Sequence, residues 1–518
     1  MRASHKVQPV FDDPNLVGCA GLVPALLLGE SAGLHDLLEE HLSVDSPNPV
    51  LKSTGVVAGM LAGADSIDDM NVLRHGGMAK LFGGIRAPST IGTFLRSFTH
   101  GHVKQLDAVG SRLLAGLTER VPGLLKGGTD PDGIAFLDLD DTIREVHGYR
   151  KQAAAYGYSK VFGLNAMLAV ASTPLAAPVI VASSLRKGNT ASGSGSAQIL
   201  TRAVTTVRRA GVTARLLGRA DSAFYRHDLV AAMIRNSMWF SVTARMNAAV
   251  QAAITRIDEQ AWTAIQYPQA VWEGDDTLPD GGYWVSDAEI AETDFVAFSS
   301  KKKAQQVPCR LVVRRVGRLQ PQAPDGTVQG ELFTAHRHHA FITNSTLSTV
   351  AADERHRDHA IIEQVIAELK DGPLAHLPSG KYTANAAWLA HAVMAFNLAR
   401  AIGVLAGKAH ARARWATIRT QLITIAGRVA TSGRKLTLHL PRGTGLGSPV
   451  RLRDRTTTSP GRLTTRPTPG PTQETKSGNT GQTGETLTPI PARPADHRPK
   501  SVRIRDRIRL GGSGLSHP

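Results

Sequence analysis

Only two cysteines, Cys19 and Cys309, occur in 518 residues. That scarcity excludes a disulfide framework and a thiolate metal site, and it predicts a reducing compartment, the cytoplasm. The apolar run at 22–28, LVPALLL, falls far short of the roughly 20 residues that a membrane-spanning helix needs, so no membrane is expected as a partner. The polar stretch 1–12 lacks the apolar segment of a secretion signal. No internal repeat is evident. Acidic side chains are outnumbered, 43 against 60 Lys and Arg, for a formal charge of +17. The surplus is uneven: residues 441–518 hold fourteen Lys and Arg against five Asp and Glu, leaving the first 440 only mildly basic. A basic balance favours polyanions without naming one.

A chain of this length predicts two or three folded units. Residues 1–130 read as helical, with helical spacing over 53–81, a helix start at Ala87-Pro88-Ser89-Thr90 and an amphipathic segment over 103–117. Arg86, Arg96, His100, His102 and Lys104 on that unit suit either DNA docking or a solvated face. After residue 440 the composition turns to Pro, Thr, Gly, Ser and Arg, with 11 of the 28 prolines, which predicts a disordered basic tail over 441–518. Its 503–510 segment, RIRDRIRL, is expected to order on a polyanion.

The chain centres on 135–142, AFLDLDDT. An apolar strand from Ile134 to Leu137 runs into alternating side chains, Leu139 one way and Asp138 and Asp140 the other. Unpaired buried carboxylates cost several kcal/mol, so such a pair meets a cation or takes part in chemistry; the alternative is a solvated Asp-Asp-Thr turn or helix cap. Strands are expected at 166–170 and 178–182, then a basic helix at 197–210, then a strand at 212–217 leading to Asp221. Three antiparallel strands, a helix and another strand make the order of an RNase H-like α/β core. Residues 238–350 read as strand-rich. Trp262, Trp272, Tyr283 and Trp284 crowd that part, mostly as core, with one available to stack on a base.

Residues 353–407 read as helical. With Glu363 as origin and about 100° per residue, His356 falls near +20°, His359 near −40° and Lys370 near −20°. Ile362, Val365, Ile366 and Leu369 cluster between about −60° and −160°, and Glu368, near +140°, is expected on the solvated side. Residues 385–405 and 415–431 read as amphipathic helices and 432–440 as a closing strand. Hard oxygen ligands at Asp140, Asp221 and Glu363 suit Mg²⁺ or Mn²⁺, two of which can serve an in-line displacement at a phosphodiester. His336-Arg337-His338-His339, and His356 with His359, lack a third ligand and are expected to be solvated or DNA-facing.

Taken in order, these marks resemble the DDE transposases of bacterial insertion sequences, in the group whose catalytic domain has a β-rich insertion. They are Leu137-Asp138-Leu139-Asp140-Asp141-Thr142 with His147-Gly148, Arg219-Ala220-Asp221-Ser222-Ala223-Phe224, Phe341-Ile342-Thr343-Asn344, Glu363 with Lys370 seven on, Asn385-Ala386-Ala387, and Ala395-Phe396-Asn397-Leu398. The resemblance implies a first Asp at Asp140, or less favourably Asp138, a second at Asp221, and the Glu at Glu363. It implies an RNase H-like core, a mixed five-stranded sheet with flanking helices, over 131–237 and 351–440. A β-rich insertion would fill 238–350, after an N-terminal helical DNA-end-binding domain over 1–130. The family's Tyr and Arg ahead of the Glu are His356 and His359 here, so Arg355 or Arg357 is a substitute for that Arg. Phosphate contacts fall to Lys370, Arg219, His359 and Arg357.

Further implications are two Mg²⁺ or Mn²⁺ ions, double-stranded DNA (terminal inverted repeats and target) as partner, a homodimer at synapsis, and a nucleoid location. Two rivals remain. One is a DNA-binding relic without catalysis. The other is a haloacid-dehalogenase-type phosphatase with Asp138 as nucleophile and Asp276 and Asp280 as its late acids.

Overall fold

The computed structural model describes residues 7–441 except Tyr149, residues 266–270, 275–281, 286–287 and 318–335, and Arg434. The expected tail, the late acids Asp276 and Asp280, and the side chains of Trp272, Tyr283 and Trp284 lie outside the described residues. The described chain belongs to one compact unit, Met1–Leu452.

Its spine is a ten-stranded mixed sheet. In chain order the main strands are β1 (Ile134–Glu145), β2 (Phe162–Thr173), β3 (Ala176–Lys187), β4 (Arg215–Ala220), β5 (Trp239–Thr243), β6 (Thr263–Ile265), β7 (Ala288–Ala297), β8 (Val307–Gly317) and β9 (His336–Thr343). Across the sheet they run β3–β2–β1–β4–β5–β9–β8–β7–β6, with the two-residue strand Ala155–Tyr156 also on β2. Strands β1 to β3 form an antiparallel meander, β4 and β5 lie parallel to β1, and the remaining pairs are antiparallel. The meander, the helix α6 (Ser196–Arg209, counted below) and the return strand match the order expected from sequence. The strand-rich part is not stacked apart from that sheet. It leaves from β5 and returns beside it at β9, lengthening the same sheet. Thr343 and Asn344 seal the return: Thr343 Oγ1 donates to the Phe240 carbonyl at 2.7 Å, and Asn344 Oδ1 accepts from the Phe240 amide at 2.8 Å.

The main helices are α1 (Leu22–Ser31), α2 (Leu34–His41), α3 (Pro49–Ala62), α4 (Pro88–Ser97), α5 (His100–Arg120), α6 (Ser196–Arg209), α7 (His227–Arg235), α8 (Thr349–Arg357), α9 (Ile361–Lys370) and α10 (Tyr382–Leu405). Pro88 at the first turn of α4 fits a position whose amide needs no partner, and Thr99 caps α5 by accepting from the His102 amide. Helices α1, α3, α4 and α5 all pack on α10, which lies on β3, so the helices at the start of the chain share one core with a helix near its end.

The sequence reading of α10 as amphipathic is corrected: Ala384–Gly403 is buried without interruption. By length and composition α10 could cross a membrane, yet 89% of its apolar window is buried inside the protein. Both of its buried asparagines are matched, as buried polar groups usually are. Asn385 binds the Ser379 amide and carbonyl, and Asn397 binds the amide and carbonyl of Ile180 on β3.

Arg400 pairs with Glu368, its Nη2 at 2.8 and 2.9 Å from the two carboxylate oxygens. Glu368 also accepts from the Trp415 amide at 2.7 Å and from Gln364 at 2.9 Å, so the expected solvated residue is a buried anchor. Its angle on the helix is as expected; the far side of α9 is covered by residues that no local periodicity announces. The 415–431 stretch is likewise not one helix. It is a short helix Trp415–Ile418, a wide turn Arg419–Ile423 and a strand Gly427–Ser432 paired with Lys435–His439 and Leu16–Val17. β-Branched Ile423, Thr424, Ile425 and Val429 favour that extended end.

Removing one partner of a buried ion pair strands the other. Glu368→Gln is expected to lower unfolding stability in urea by about 3 kcal/mol, and Glu368→Leu combined with Arg400→Leu to recover most of the loss.

Candidate active site

Strands β1 and β4 run parallel with Asp138 opposite Arg219 and Leu139 opposite Ala220. Directly opposed residues on neighbouring strands face the same way, so each pair in this register shares a side of the sheet. The next pair is Asp140 and Asp221. Asp221 keeps an extended backbone (φ −76°, ψ −178°), so the alternation carries on to it. Two carboxylates therefore meet where β4 ends, on the face that carries the Asp138–Arg219 pair.

The electrostatics agree with that placement. Burial pushes the Asp140 carboxyl up to about 6, against a hydrogen bond from the Asp141 amide at 2.7 Å, and the charge of Asp221 adds to the rise. Asp221 is also raised by burial, opposed by the Ala223 amide that donates to its Oδ1 at 2.9 Å. Asp140 is half-buried and Asp221 is open to solvent, so a cation could reach both acids and offset the penalty on each.

Asp138, one pair further down, is wholly buried. Arg219 grips it with Nε at 2.7 Å from Oδ1 and Nη2 at 2.8 Å from Oδ2, and His359 Nδ1 lies 2.8 Å from Oδ1. Burial alone would raise this carboxyl, but Arg219 and His359 more than offset it and hold it below the usual carboxylate range. Both oxygens are thus committed, and Asp138 has no face open to a metal or a substrate phosphate. Arg219, expected at DNA, is only 1% exposed. Its Nη1 donates to the Arg355 carbonyl at 2.6 Å and its guanidinium lies over the Phe136 ring, which spends the whole group inside the protein.

His359 belongs to a short 3₁₀ turn, Asp358–Ala360, between α8 and α9. Held by Asp138, it sits close enough for its charge to lower both Asp140 and Asp221. The tighter turn rotates α8 relative to α9, and His356 leaves the stripe expected for it. Its ring nitrogens lie 2.8 Å from Ser241 Oγ and 3.0 Å from Thr243 Oγ1, and the ring stacks on Phe341 at 4.1 Å. Burial, with the nearby charges of His359 and Arg219, pushes His356 down to about 3, so it is a neutral structural group rather than a DNA-facing one.

Glu363 stands exposed in the first turn of α9, which packs on β1. Among the described residues no three His, Cys, Asp or Glu side chains gather closely enough to cage a metal, so Glu363 is not closed onto Asp140 and Asp221. Lys370 is half-buried at the far end of α9. Arg357 donates to Asp353 at 2.8 Å, and Arg355 pairs with Asp358 at 3.1 Å. The third acid of the motif, Asp141, turns away to Arg186 and Asn165, and Arg186 reaches the Ser192 and Ser194 carbonyls. Sequence reasoning gave Arg186 and Asn165 no role; their only signal is polar residues inside apolar strands.

The family model of transposase DDE domain group 1 matches residues 6–451. No curated protein matches the chain.

A carboxyl raised in the folded state favours folding below its unfolded value and loses that contribution as pH climbs through the folded one. For Asp140 the window runs from about pH 4 to about pH 6. Asp140→Asn is therefore expected to stabilise the metal-free protein at pH 7 by about 2 kcal/mol, with the gain fading towards pH 4. Unfolding curves of both proteins across that range check this, and added Mn²⁺ should stabilise only the wild type.

Proposed function

Since the chain belongs to the transposase DDE domain group 1 family, we propose that it cuts the ends of a mobile DNA element and joins them to target DNA. The observation that carries this reading is the pairing of Asp140 with Asp221 where β4 ends beside β1. In this reading β3–β2–β1–β4–β5 is an RNase H-like core, the strands from β6 to β9 are its insertion, and residues 1–130 bind the element end.

Asp140 and Asp221 present hard oxygen donors from rigid strands, and Glu363 joins them from α9. It lies in the first turn of α9, just after the 3₁₀ turn that carries His359. Mg²⁺ or Mn²⁺, two per site, would supply the charge stabilisation of attacking and leaving oxygens. Water attacks the scissile phosphorus, the bond to the 3′ oxygen breaks, and a 3′ hydroxyl is left. That hydroxyl attacks a target phosphodiester, forming one P–O bond and breaking another, with no covalent protein intermediate and no ATP. His359, oriented by Asp138, faces the reacting phosphate, and Lys370, two turns beyond Glu363, holds a phosphate further along. Joining two ends calls for a dimer, working on DNA in the cytoplasm.

The phosphatase alternative requires a nucleophile at Asp138, whose oxygens are bound to Arg219 and His359. The relic alternative keeps DNA binding and loses chemistry. All three part in one assay: labelled terminal repeats of the encoding element, with Mg²⁺, wild type against Asp221→Asn and Glu363→Gln. Metal-dependent nicking and strand transfer abolished by either substitution is expected, and His359→Ala should slow both by about 10- to 100-fold. Binding without nicking by the wild type favours the relic; phosphate release from a small monoester favours the phosphatase.

A further inference from the structure

Helices α5 and α6, remote in sequence from the acids above, face each other across a cavity of about 360 Å³ that β3 and α10 close from below. Four cations stand around it, Lys104 and Arg112 from α5 and Arg202 and Arg209 from α6, with the hydroxyls of Ser111, Thr201 and Thr205 between them. They fall into two stations. At the first, Asp107 bridges Lys104 at 3.2 Å and Arg202 at 2.9 Å, so one negative charge is shared by two positive ones. At the second, Arg209 Nη1 donates to Ser111 Oγ at 2.5 Å and Arg112 only to the Ala108 carbonyl at 3.3 Å. Among the described residues neither guanidinium has a carboxylate partner.

A surface usually disperses or pairs its cations, because like charges brought together repel. Here two segments about a hundred positions apart bring theirs to one cleft and leave a net excess. Guanidinium forks beside hydroxyl donors match phosphate oxygens. The shape argues for a chain of phosphates over a single one. Lys104 to Arg112 is eight residues and Arg202 to Arg209 is seven, so each helix spreads its charges over roughly 10–12 Å. A duplex presents one phosphate charge per about 1.7 Å of axis, and such a row meets several at once.

We propose that the α5–α6 cleft is a docking surface for the sugar–phosphate backbone of double-stranded DNA, separate from the Asp140–Asp221 centre. It rests on the transposase reading for the presence of DNA, and it assigns to Arg112 and Arg209 a contact that involves backbone charge and no base sequence. The cleft positions the duplex and the carboxylates cut it.

The test is the salt dependence of binding by the full chain to a fluorescein-labelled random-sequence duplex, read by anisotropy over a series of KCl concentrations. Neutralising two phosphates contributes about −1.8 to the slope of log K against log salt. Arg112→Gln with Arg209→Gln is expected to make the slope shallower by about 2 and to weaken binding about tenfold or more at moderate salt. Arg112→Lys with Arg209→Lys, which keeps the charge, should retain the slope. A slope indifferent to the Gln pair, or lost equally in the Lys pair, overturns the proposal while leaving the transposase reading in place. A wild type that binds no duplex at all overturns that reading, and this one with it.

Discussion

The register between β1 and β4 is the constraint on which the rest depends. Setting Leu139 against Ala220 forces Asp140 against Asp221, a pairing of like charges that no fold would adopt for stability. The same register sets Asp138 against Arg219 one pair deeper, where the carboxylate and the guanidinium are both nearly sealed from water. A slip by one residue would turn every side chain of β1 to the other face and break that ion pair. Buried ion pairs contribute little net stability but specify arrangement, and here the attractive pair fixes the repulsive one. The motif Asp138-Leu139-Asp140-Asp141 thus divides its labour: Asp138 holds the strands in register, Asp140 faces Asp221, and Asp141 ties the other side to Arg186.

Helix α9 is fastened at both ends to parts of the chain far from it in sequence. At its start His359 is bound to Asp138 on β1; near its end Glu368 is bound to Arg400 on α10 and to the Trp415 amide. Between these clamps the helix that carries Glu363 is packed on β1, while Glu363 itself is exposed and nothing closes it onto the two aspartates.

Much of this was legible in the sequence, and for a physical reason: short-range periodicity reports strands and helices well. The meander follows from its apolar runs, and the β1 motif and Asp221 from apolar runs that lead into acids. What stayed hidden depends on partners distant in sequence. Glu368 has the helical angle of an exposed residue, and only the arrival of Arg400 and Trp415 makes its far side an interior. Arg219 beside a predicted acid reads as a phosphate contact, and it takes the cross-strand position of Asp138 to show it is already spent. The wheel drawn through His356 assumed one unbroken helix, and three residues of tighter turn at Asp358–Ala360 reset its phase. On α10, the polar residues Asn385, His391, Asn397 and Arg400 suggest contact with water, while each is buried in the core and bound there by at least one atom.

The long excursion between Asp221 and Glu363 raises the question of what fixes the place where α9 begins. The sheet answers it. The chain leaves the core from β5, builds β6 to β8 outward, and comes back as β9 directly against β5. Helix α8 then crosses over the strands it has just laid down: Asp353 takes Arg314 of β8 at 2.7 Å, and His356 takes Ser241 and Thr243 of β5 and stacks on Phe341 of β9. Both ends of the excursion are pinned to one strand, so its length has no bearing on where α9 begins. Lengthening a loop whose ends are already fixed adds only a slowly growing entropy penalty, and the added strands offset it with hydrogen bonds to the existing edge. The length of chain between Asp221 and Glu363 and the place where α9 begins are therefore independent quantities, and β5 is the element that uncouples them.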